Sequence, residues 1–502
     1  VASPSVADLL QTRDRDESPV RARIRPGKPR NPTGPKLAGE GPDGFHLSDL
    51  GNARRVAARH GKDVHYCHPW KTWLPWDDRR WKIDDTGEIT SRVKETQGFL
   101  YRQTGERLQA LAGSPDDAGR RAEIAGLTAQ LNHALAWERA SRIAACIDLL
   151  RSEPDVPVLP AEFDRDPFLL NVTNGTLDLR TGRLRPHNRK DLLTKLAPVA
   201  FDPKAACPLW LKFVTRIMDD NPDLIDYLQR LAGYSLTADV SEQLIWFFHG
   251  AGANGKSTFL GTLLALLGDY AMQAVSELLM VKSHESHPTE RADLCGKRFV
   301  ATIETEEGKR LAESLMKQIT GGDRIRARHM KQDFFEFSPT HKIIMAANHK
   351  PVIRGKDRGT WRRIKLVPFT VTIAEEEKDK HLPEKLKGEL PGILNWALVG
   401  CLAWQRDGLG EPDEVRAATD AYRDEQDLVA AFITECCAVL PEARVKASAL
   451  YDAYTAWSGD KLTTQKAFSQ QLLEKDFTKK RGDGGAVFYF GIGLPSPAGG
   501  SF

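Results

Sequence analysis

The sequence predicts a multidomain α/β protein built on a P-loop core, with an α+β module ahead of that core and a mainly helical segment behind it. Three observations carry this. Gly250-Ala-Gly-Ala-Asn-Gly255-Lys256-Ser257 fits the pattern G-x-x-x-x-G-K-[ST] in full, after an apolar strand and at the opening of a helix. From about residue 242 to 369 apolar strands alternate with helical segments, the pattern of a nucleotide-binding α/β core. At 502 residues the chain exceeds one ordinary domain, so two to four are expected.

Composition narrows the class. A hydrophobic content of 41% with 28% charged residues is that of a soluble globular protein. The net charge is only +3, so a nucleic-acid surface must come from local clusters of basic residues. Seven scattered cysteines (Cys67, Cys146, Cys207, Cys295, Cys401, Cys436 and Cys437) lack the paired spacing of a zinc ribbon and favour a reduced, intracellular protein. His60, His65, Cys67 and His68 are the nearest thing to a metal cluster, and they read better as a polar strand and turn. With no membrane-length apolar run and no signal-peptide core, the expectation is a cytoplasmic protein with no membrane partner.

In chain order, residues 1–40 read as a disordered basic tail: six cations from Arg21 to Lys36 interleave with Pro26, Pro29, Pro32 and Pro35 and leave little to bury. It serves either as an arm touching nucleic acid or, the better reading, as a linker. An α+β module follows over 41–235. Phe45, Trp70, Trp73, Trp76 and Trp81 sit among short alternating segments such as His65–His68 and Trp81–Ile83, and are read as core before base-stacking rings. A helical stretch is expected from a cap at Ser114, with Pro115 in its first turn, to Pro154. Asn174–Gly175 marks a turn between Leu169–Val172 and Leu177–Leu179, and Leu209–Tyr234 reads as one amphipathic helix. The core spans 236–395, with strands at Leu244–His249, Arg298–Ile303, His341–Ala347 and Ile364–Pro368. A helical connector over 396–440 leads to a last domain at 441–495, reading helix, helix, Gly-rich turn and the strand Val487–Phe490.

The chemistry starts at the loop. Gly250, Gly252 and Gly255 let successive N–H groups curl round a β-phosphate, with Asn254 inside the same loop, and the helix N-terminus at Lys256–Thr258 adds positive potential. Lys256 would neutralise the β- and γ-phosphates of ATP and the Ser257 hydroxyl would ligate Mg²⁺. Hydrolysis needs carboxylates at the end of a neighbouring strand. Arg298–Ile303 followed by Glu304 and Glu306 supplies them, Glu304 on the metal side and Glu306 at the water, though the two roles are interchangeable. Asn348, at the tip of the next strand, can contact the γ-phosphate or its water. Arg358, Arg362 and Arg363 follow, and one of the last two suits an arginine finger given to a neighbouring subunit's site. Arg324, Arg326 and Arg328 share one face of a strand that turns back through Gln332–Asp333 to Phe335 and Phe337. That basic hairpin fits phosphate-backbone contact, or else a solvated hairpin or a subunit interface.

These residues, in this order, resemble the superfamily 3 helicases, and more closely the helicase half of phage and plasmid primase–helicases, related to poxvirus replication ATPases. The resemblance extends to Ser48–Ala53, Leu170–Gly182, Pro208, Trp210, Gly233–Tyr234, Lys317–Asp323 and Pro391–Trp396, so it covers most of the chain from about residue 43. It implies an AAA+-like core in a hexameric, DNA-translocating ATPase with ATP sites between subunits, usually unwinding 3′ to 5′. Carried over by position, Lys256 and Ser257 fall in the P-loop, Glu304 and Glu306 in the acidic motif and Asn348 in the sensor motif. Lys331 falls near the DNA-contacting hairpin, and Arg362 or Arg363 near the finger. The last domain resembles a winged helix, with Leu462–Leu473 as the recognition-type helix and Lys479, Lys480 and Arg481 on a wing that reaches phosphates. Many such proteins carry an upstream primase. The first forty residues are too short for one, and Asp14–Asp16 and Asp164–Asp166 do not end paired apolar strands, so a separate primase or polymerase is the expected partner.

The expected activity is thus ATP-dependent DNA unwinding in phage or mobile-element replication, in the host cytoplasm. The competing readings are an initiator that uses ATP only to assemble on DNA, and another P-loop enzyme such as a packaging motor or a small-molecule kinase.

Overall fold

The computed structural model describes residues 41–113, 117–281, 289–303, 308–329, 333–355, 357–459, 463–482 and 485–495. The first module is more helical than its sequence suggests. Helix α1 (Asp49–His60) opens on the Ser48 side chain, which accepts from the Gly51 N–H. A short hairpin follows, β1 (Val64–Cys67) with β2 (Thr72–Pro75). Three helices come next: α2 (Glu88–Leu111), α3 (Ala118–Trp137) and α4 (Ala140–Leu150). The cap of α3 is Asp117; the expected cap Ser114, with Pro115, lies outside the described residues. Trp73, Trp76 and Trp81 are buried as expected, whereas Trp70 stays partly exposed and stacks on Phe163. Trp81–Ile83 does not extend into a strand; Trp81 makes only an isolated bridge to Trp76.

A three-stranded meander, β3 (Leu169–Val172), β4 (Gly175–Asp178) and β5 (Arg183–Arg185), turns at Thr173–Asn174. The expected single helix at 209–234 is two, α5 (Pro208–Ile217) and α6 (Pro222–Leu236). Asp219 and Asp220 adopt left-handed backbone at φ 53° and 57°, and Asn221 caps a new helix with Pro222 in its first turn. The apolar period continues across the break, which hid it from the sequence.

The centre is a five-stranded parallel sheet in the order β12-β6-β11-β8-β7. Its strands are β6 (Ile245–His249), β7 (Ala271–Ala274), β8 (Phe299–Ile303), β11 (Lys342–Ala347) and β12 (Ile364–Pro368). Four match the predicted strands to within a residue; β7, short and only half apolar, was not predicted. Helix α7 (Lys256–Leu267) follows β6, and α8 (Glu313–Thr320) precedes a hairpin of β9 (Ile325–Ala327) and β10 (Phe335–Phe337). Successive side chains of β6 feed two different cores. Trp246 and Phe248 pack with α5, α6 and α7, and Ile245 and Phe247 pack on the other face with Met316 and Trp361.

Behind β12 run α9 (Leu382–Gly388), α10 (Leu390–Asp407), α11 (Asp413–Glu425) and α12 (Leu428–Cys436). Helices α6 and α10 touch backbone to backbone: a Cβ at Gly233 would sit 2.0 Å from the Cys401 N, and one at Gly400 2.0 Å from the Gln229 carbonyl. The last segment reads β13 (Arg444–Lys446), α13 (Ala447–Ser458), α14 (Gln465–Glu474), β14 (Thr478–Arg481) and β15 (Val487–Phe490), with sheet order β13-β15-β14. Among the described residues no helix is long and apolar enough to cross a membrane.

Two buried cations stitch the meander and α6 to the amino-terminal edge of the sheet. Arg298 donates to the Leu236 carbonyl at 2.6 Å and the Leu169 carbonyl at 2.8 Å, with its guanidinium 4.3 Å from the Tyr270 ring centroid. Lys342 reaches the carbonyls of Thr237 and Asp239 and lies over Tyr234. Leu236 ends α6 and Thr237 caps it, so both cations draw on the negative pole of that helix.

Candidate functional site

In a parallel sheet every strand delivers its carboxyl end to one edge, and here that edge carries the loop 250–255 and Asn348. His249 of β6 pairs in register with Ala347 of β11, and Ala346 with Ile303 of β8. The loop 250–255 and Asn348 therefore emerge side by side. Glu304 and Glu306, which follow Ile303 in sequence, lie outside the described residues.

The loop is held open by its glycines. A Cβ at Gly250 would come 2.2 Å from the Phe369 carbonyl, and one at Gly255 2.5 Å from Ile217 Cγ2. Gly252 and Gly255 take φ of 104° and 82°, and Ala253 shares the left-handed region at 48°. The segment after β12 fastens the loop from outside, with Ile373 N–H donating to the Ala253 carbonyl at 2.7 Å.

Inside it sits Lys256, only 5% exposed. Its Nζ donates to the Gly250 carbonyl at 2.8 Å, Asn254 Oδ1 at 3.0 Å and Asn348 Oδ1 at 3.1 Å. All three partners are neutral oxygens. Burial pulls the lysine down to about 8, because among the described residues nothing anionic repays its desolvation. Asn254 is buried with its amide directed at the Phe369 carbonyl, while Ser257 and Asn348 are exposed at the mouth and Thr258 is half-buried. His249 was not singled out from the sequence. Burial holds its imidazole below the ordinary value, Lys350 and Lys256 push the same way, and its ring bonds to the Asn348 backbone. A polar residue ending an apolar strand was the signal that marked it.

The arginines lie elsewhere. Arg362 and Arg363 precede β12, at the amino-terminal edge, where the Arg363 carbonyl accepts from Ile245 N–H. Arg362 donates to Gln243 Oε1 at 3.2 Å, and Arg363 to the Gly359 carbonyl at 2.7 Å with its Nε buried and unpartnered. The five residues of β12 put about 16 Å of strand between them and the loop edge. Neither arginine therefore shares a site with Lys256 of the same chain.

On the hairpin, Ile325 and Ala327 are buried and Arg326 and Arg328 exposed, the alternation the sequence required. Both arginines lie over Phe334, 4.5 Å and 4.9 Å from its ring centroid. Phe334, 49% exposed, was not singled out; Lys331 lies outside the described residues. In the last segment Lys479, Lys480 and Arg481 are all exposed on β14, and Lys479 Nζ donates to Ser469 Oγ of α14 at 2.8 Å. Asp164 accepts from Thr194 and Asp166 pairs with Arg180, so that D-x-D pair is structural; Asp14 and Asp16 lie outside the described residues. Among the described residues no group of three or more His, Cys, Asp or Glu could hold a metal ion, and the ring of His65 lies 4.1 Å from that of Trp81, tilted by 42°.

Fold and site together define a class: a parallel α/β protein with a glycine-rich strand–loop–helix enclosing a buried lysine at the carboxyl edge of its sheet. Comparison with known proteins narrows it. Residues 53–219 match the family described as D5 N terminal like, and residues 248–363 a family of unknown function, DUF5906. A provisionally named helicase of Acanthamoeba polyphaga mimivirus is 26% identical over 393 residues, 72% of this chain and 40% of the relative. A provisionally named primase of African swine fever virus is 25% identical, covering 62% of this chain and 35% of that protein. A provisionally named helicase of Frog virus 3 is 24% identical over 59% of this chain and 39% of its own length. The chain thus spans well under half the length of these relatives. The apo structure of the NrS-1 C-terminal region superposes with a TM-score of 0.50 at 11% identity, covering 88% of this chain and 99% of that one, and shares the fold. The chain is accordingly similar to proteins of large DNA viruses provisionally named as helicases and primases, consistent with the superfamily 3 primase–helicases.

Proposed function

We propose that the chain is an ATP-driven DNA helicase acting in DNA replication, assembled as a ring with its nucleotide sites between subunits. The observation that carries the reading is the cradle of Lys256. A buried ammonium held by three neutral oxygens, inside a loop that tolerates only glycine at Gly250 and Gly255, has the electrostatics of a site that waits for a polyanion. Loop N–H groups and Lys256 would hold the β- and γ-phosphates. Mg²⁺ bound by Ser257 and Glu304 would neutralise charge on the transferred phosphoryl group. Asn348 is in reach of the same position, since it already bonds Lys256, and Glu306 is the remaining carboxylate for orienting water.

Ring assembly fits the place of the two candidate finger arginines. Charge that builds on the γ-phosphate in the transition state calls for a cation, and Arg362 and Arg363 stand at the far edge of their own sheet. A neighbour turned head to tail brings that edge to the loop, which favours a closed ring. The hairpin with Arg326, Arg328 and Lys331 and the last domain, read as a winged helix with Lys479, Lys480 and Arg481 on its wing, supply the DNA contacts. The relatives named as helicases support the same class.

Steady-state ATP hydrolysis with and without single-stranded DNA, across protein concentrations, tests this. A rate that rises with both, and is lost in Lys256→Ala, supports a DNA-stimulated oligomeric motor, and strand displacement on tailed duplexes then gives polarity. A rate indifferent to DNA and to concentration sinks the reading in favour of a small-molecule kinase. DNA-stimulated hydrolysis without strand displacement points to the assembly initiator.

A further inference from the structure

The outer face of the last sheet carries two aromatic rings that neither the loop nor the wing reading uses. The register aligns Arg444, Phe490 and Thr478 in one row across β13, β15 and β14, and Lys446, Phe488 and Lys480 in the next. Residues two apart on a strand share a face, so all six lie together. Tyr489, between the two phenylalanines, turns the other way and is buried with Phe468 and Leu472 of α14. Phe488 and Phe490 are partly exposed and take no part in that core. Arg444, Lys446 and Lys480 beside them are exposed, and Lys480 Nζ lies 5.6 Å from the Phe490 ring centroid. Gly482 brings bare backbone under Phe488, where a Cβ would meet Cε2 at 3.2 Å.

We propose that this face binds single-stranded nucleic acid, with successive bases stacking on Phe488 and Phe490 and Arg444, Lys446 and Lys480 following the phosphates. Two aromatic rings in the central strand lie about 7 Å apart, twice the rise per residue, a spacing that an extended single strand can span from one base to the next. Cations line both sides of the rings, which matches a polyanion and disfavours an apolar protein partner. Stacking on aromatic rings is indifferent to sequence, as unwinding requires. Duplex DNA keeps its base faces covered and gains nothing from the rings. The assignment splits the basic run of β14: Lys480 belongs to this platform, while Lys479 and Arg481 sit on the opposite face, towards α14. It takes its ligand class from the reading of the chain as a DNA enzyme but does not depend on ATP.

The test uses the full chain without nucleotide. Oligo-dT carrying 5-iodouracil is crosslinked and the adducts are mapped by mass spectrometry, and affinity is measured for Phe488→Leu and Phe490→Leu, which keep an apolar side chain. Adducts are expected at Phe488 or Phe490, with affinity for single strands falling roughly tenfold for each substitution and duplex affinity unchanged. Arg444→Ala with Lys446→Ala should shallow the salt slope by about 1.4, from roughly 0.7 per released phosphate contact on single strands. Adducts confined to the 324–337 hairpin, with wild-type affinity in both phenylalanine variants, overturn the platform while leaving a DNA-stimulated ATPase standing. Wild-type protein that binds no single strand without nucleotide overturns the platform alone, and DNA-stimulated hydrolysis then decides the helicase reading separately.

Discussion

The two edges of the central sheet each bury a lysine among neutral oxygens, and only one of them is finished. At the amino-terminal edge Lys342 is capped by carbonyls at the end of α6 and by the face of Tyr234, with Arg298 beside it satisfied by two more carbonyls and Tyr270. Arg298 and Lys342 are each only 2% exposed. At the carboxyl edge Lys256 has a comparable set of neutral partners, but its neighbours Ser257 and Asn348 are exposed and among the described residues no ring closes over it. The same electrostatic device therefore serves two ends. Sealed by rings and a helix terminus it is a fastening between modules. Left open at a glycine loop it is a binding site.

Substitutions break this comparison in opposite directions. The largest effect is expected in hydrolysis. Replacing the finger, whichever of Arg362 or Arg363 it is, by Ala should cost about 10³–10⁵ in kcat while nucleotide still binds, and Lys256→Ala should bring the rate to background. Steady-state rates beside a nucleotide-binding titration separate the two losses. Next comes the sealed edge. Arg298→Met leaves the Leu236 and Leu169 carbonyls unpaired and should cost about 2–6 kcal/mol of stability, at 1–3 for each, read by chemical denaturation. Equal losses of stability in Arg298→Met and Lys256→Ala would show that the edges do not differ.

The sealed edge should also be acid-labile. His341, just before Lys342, is pulled down to about 4 by burial, with the lysine's charge acting the same way. Its folded value lies below the unfolded 6.5, so the unfolded chain binds the proton first. Its stabilisation is complete above pH 6.5 and is lost as pH falls from there towards 4, amounting to about 2 kcal/mol by pH 5. Denaturation curves at pH 7.5 and 5 measure the loss, and His341→Phe should flatten it. The smallest effect is the sharpest contrast. Lys256→Ala removes a cation that burial penalises, so stability without nucleotide should change by no more than about 1 kcal/mol in either direction.

The open edge was the more legible of the two in the sequence. The glycine pattern and the four strands that aim it are short-range signals, and the alternation of Arg324, Arg326 and Arg328 gave the exposed face of the hairpin. The sealed edge was invisible because it is assembled from Leu169, Leu236, Arg298 and Lys342, far apart in the chain and joined through backbone carbonyls, which no side-chain pattern records. Helices α1 and α2 were missed because their polar faces outweigh their apolar ones. The break at Asp219–Asp220 was missed because apolar spacing resumes in phase beyond it. Phe488 and Phe490 read as ordinary strand residues until register showed that both rings face outward, and Phe334 falls just before β10, where no strand pattern marks it.

Mixing experiments show whether Lys256 and the finger act on one nucleotide from two different chains. Lys256→Ala and the inactivating arginine variant are each assayed alone, then combined at varied ratios with single-stranded DNA. Two inactive proteins are expected to regain hydrolysis together, through interfaces that pair an intact Lys256 with an intact arginine. Absence of recovery at every ratio, with mixed oligomers shown to form, would contradict action across two chains.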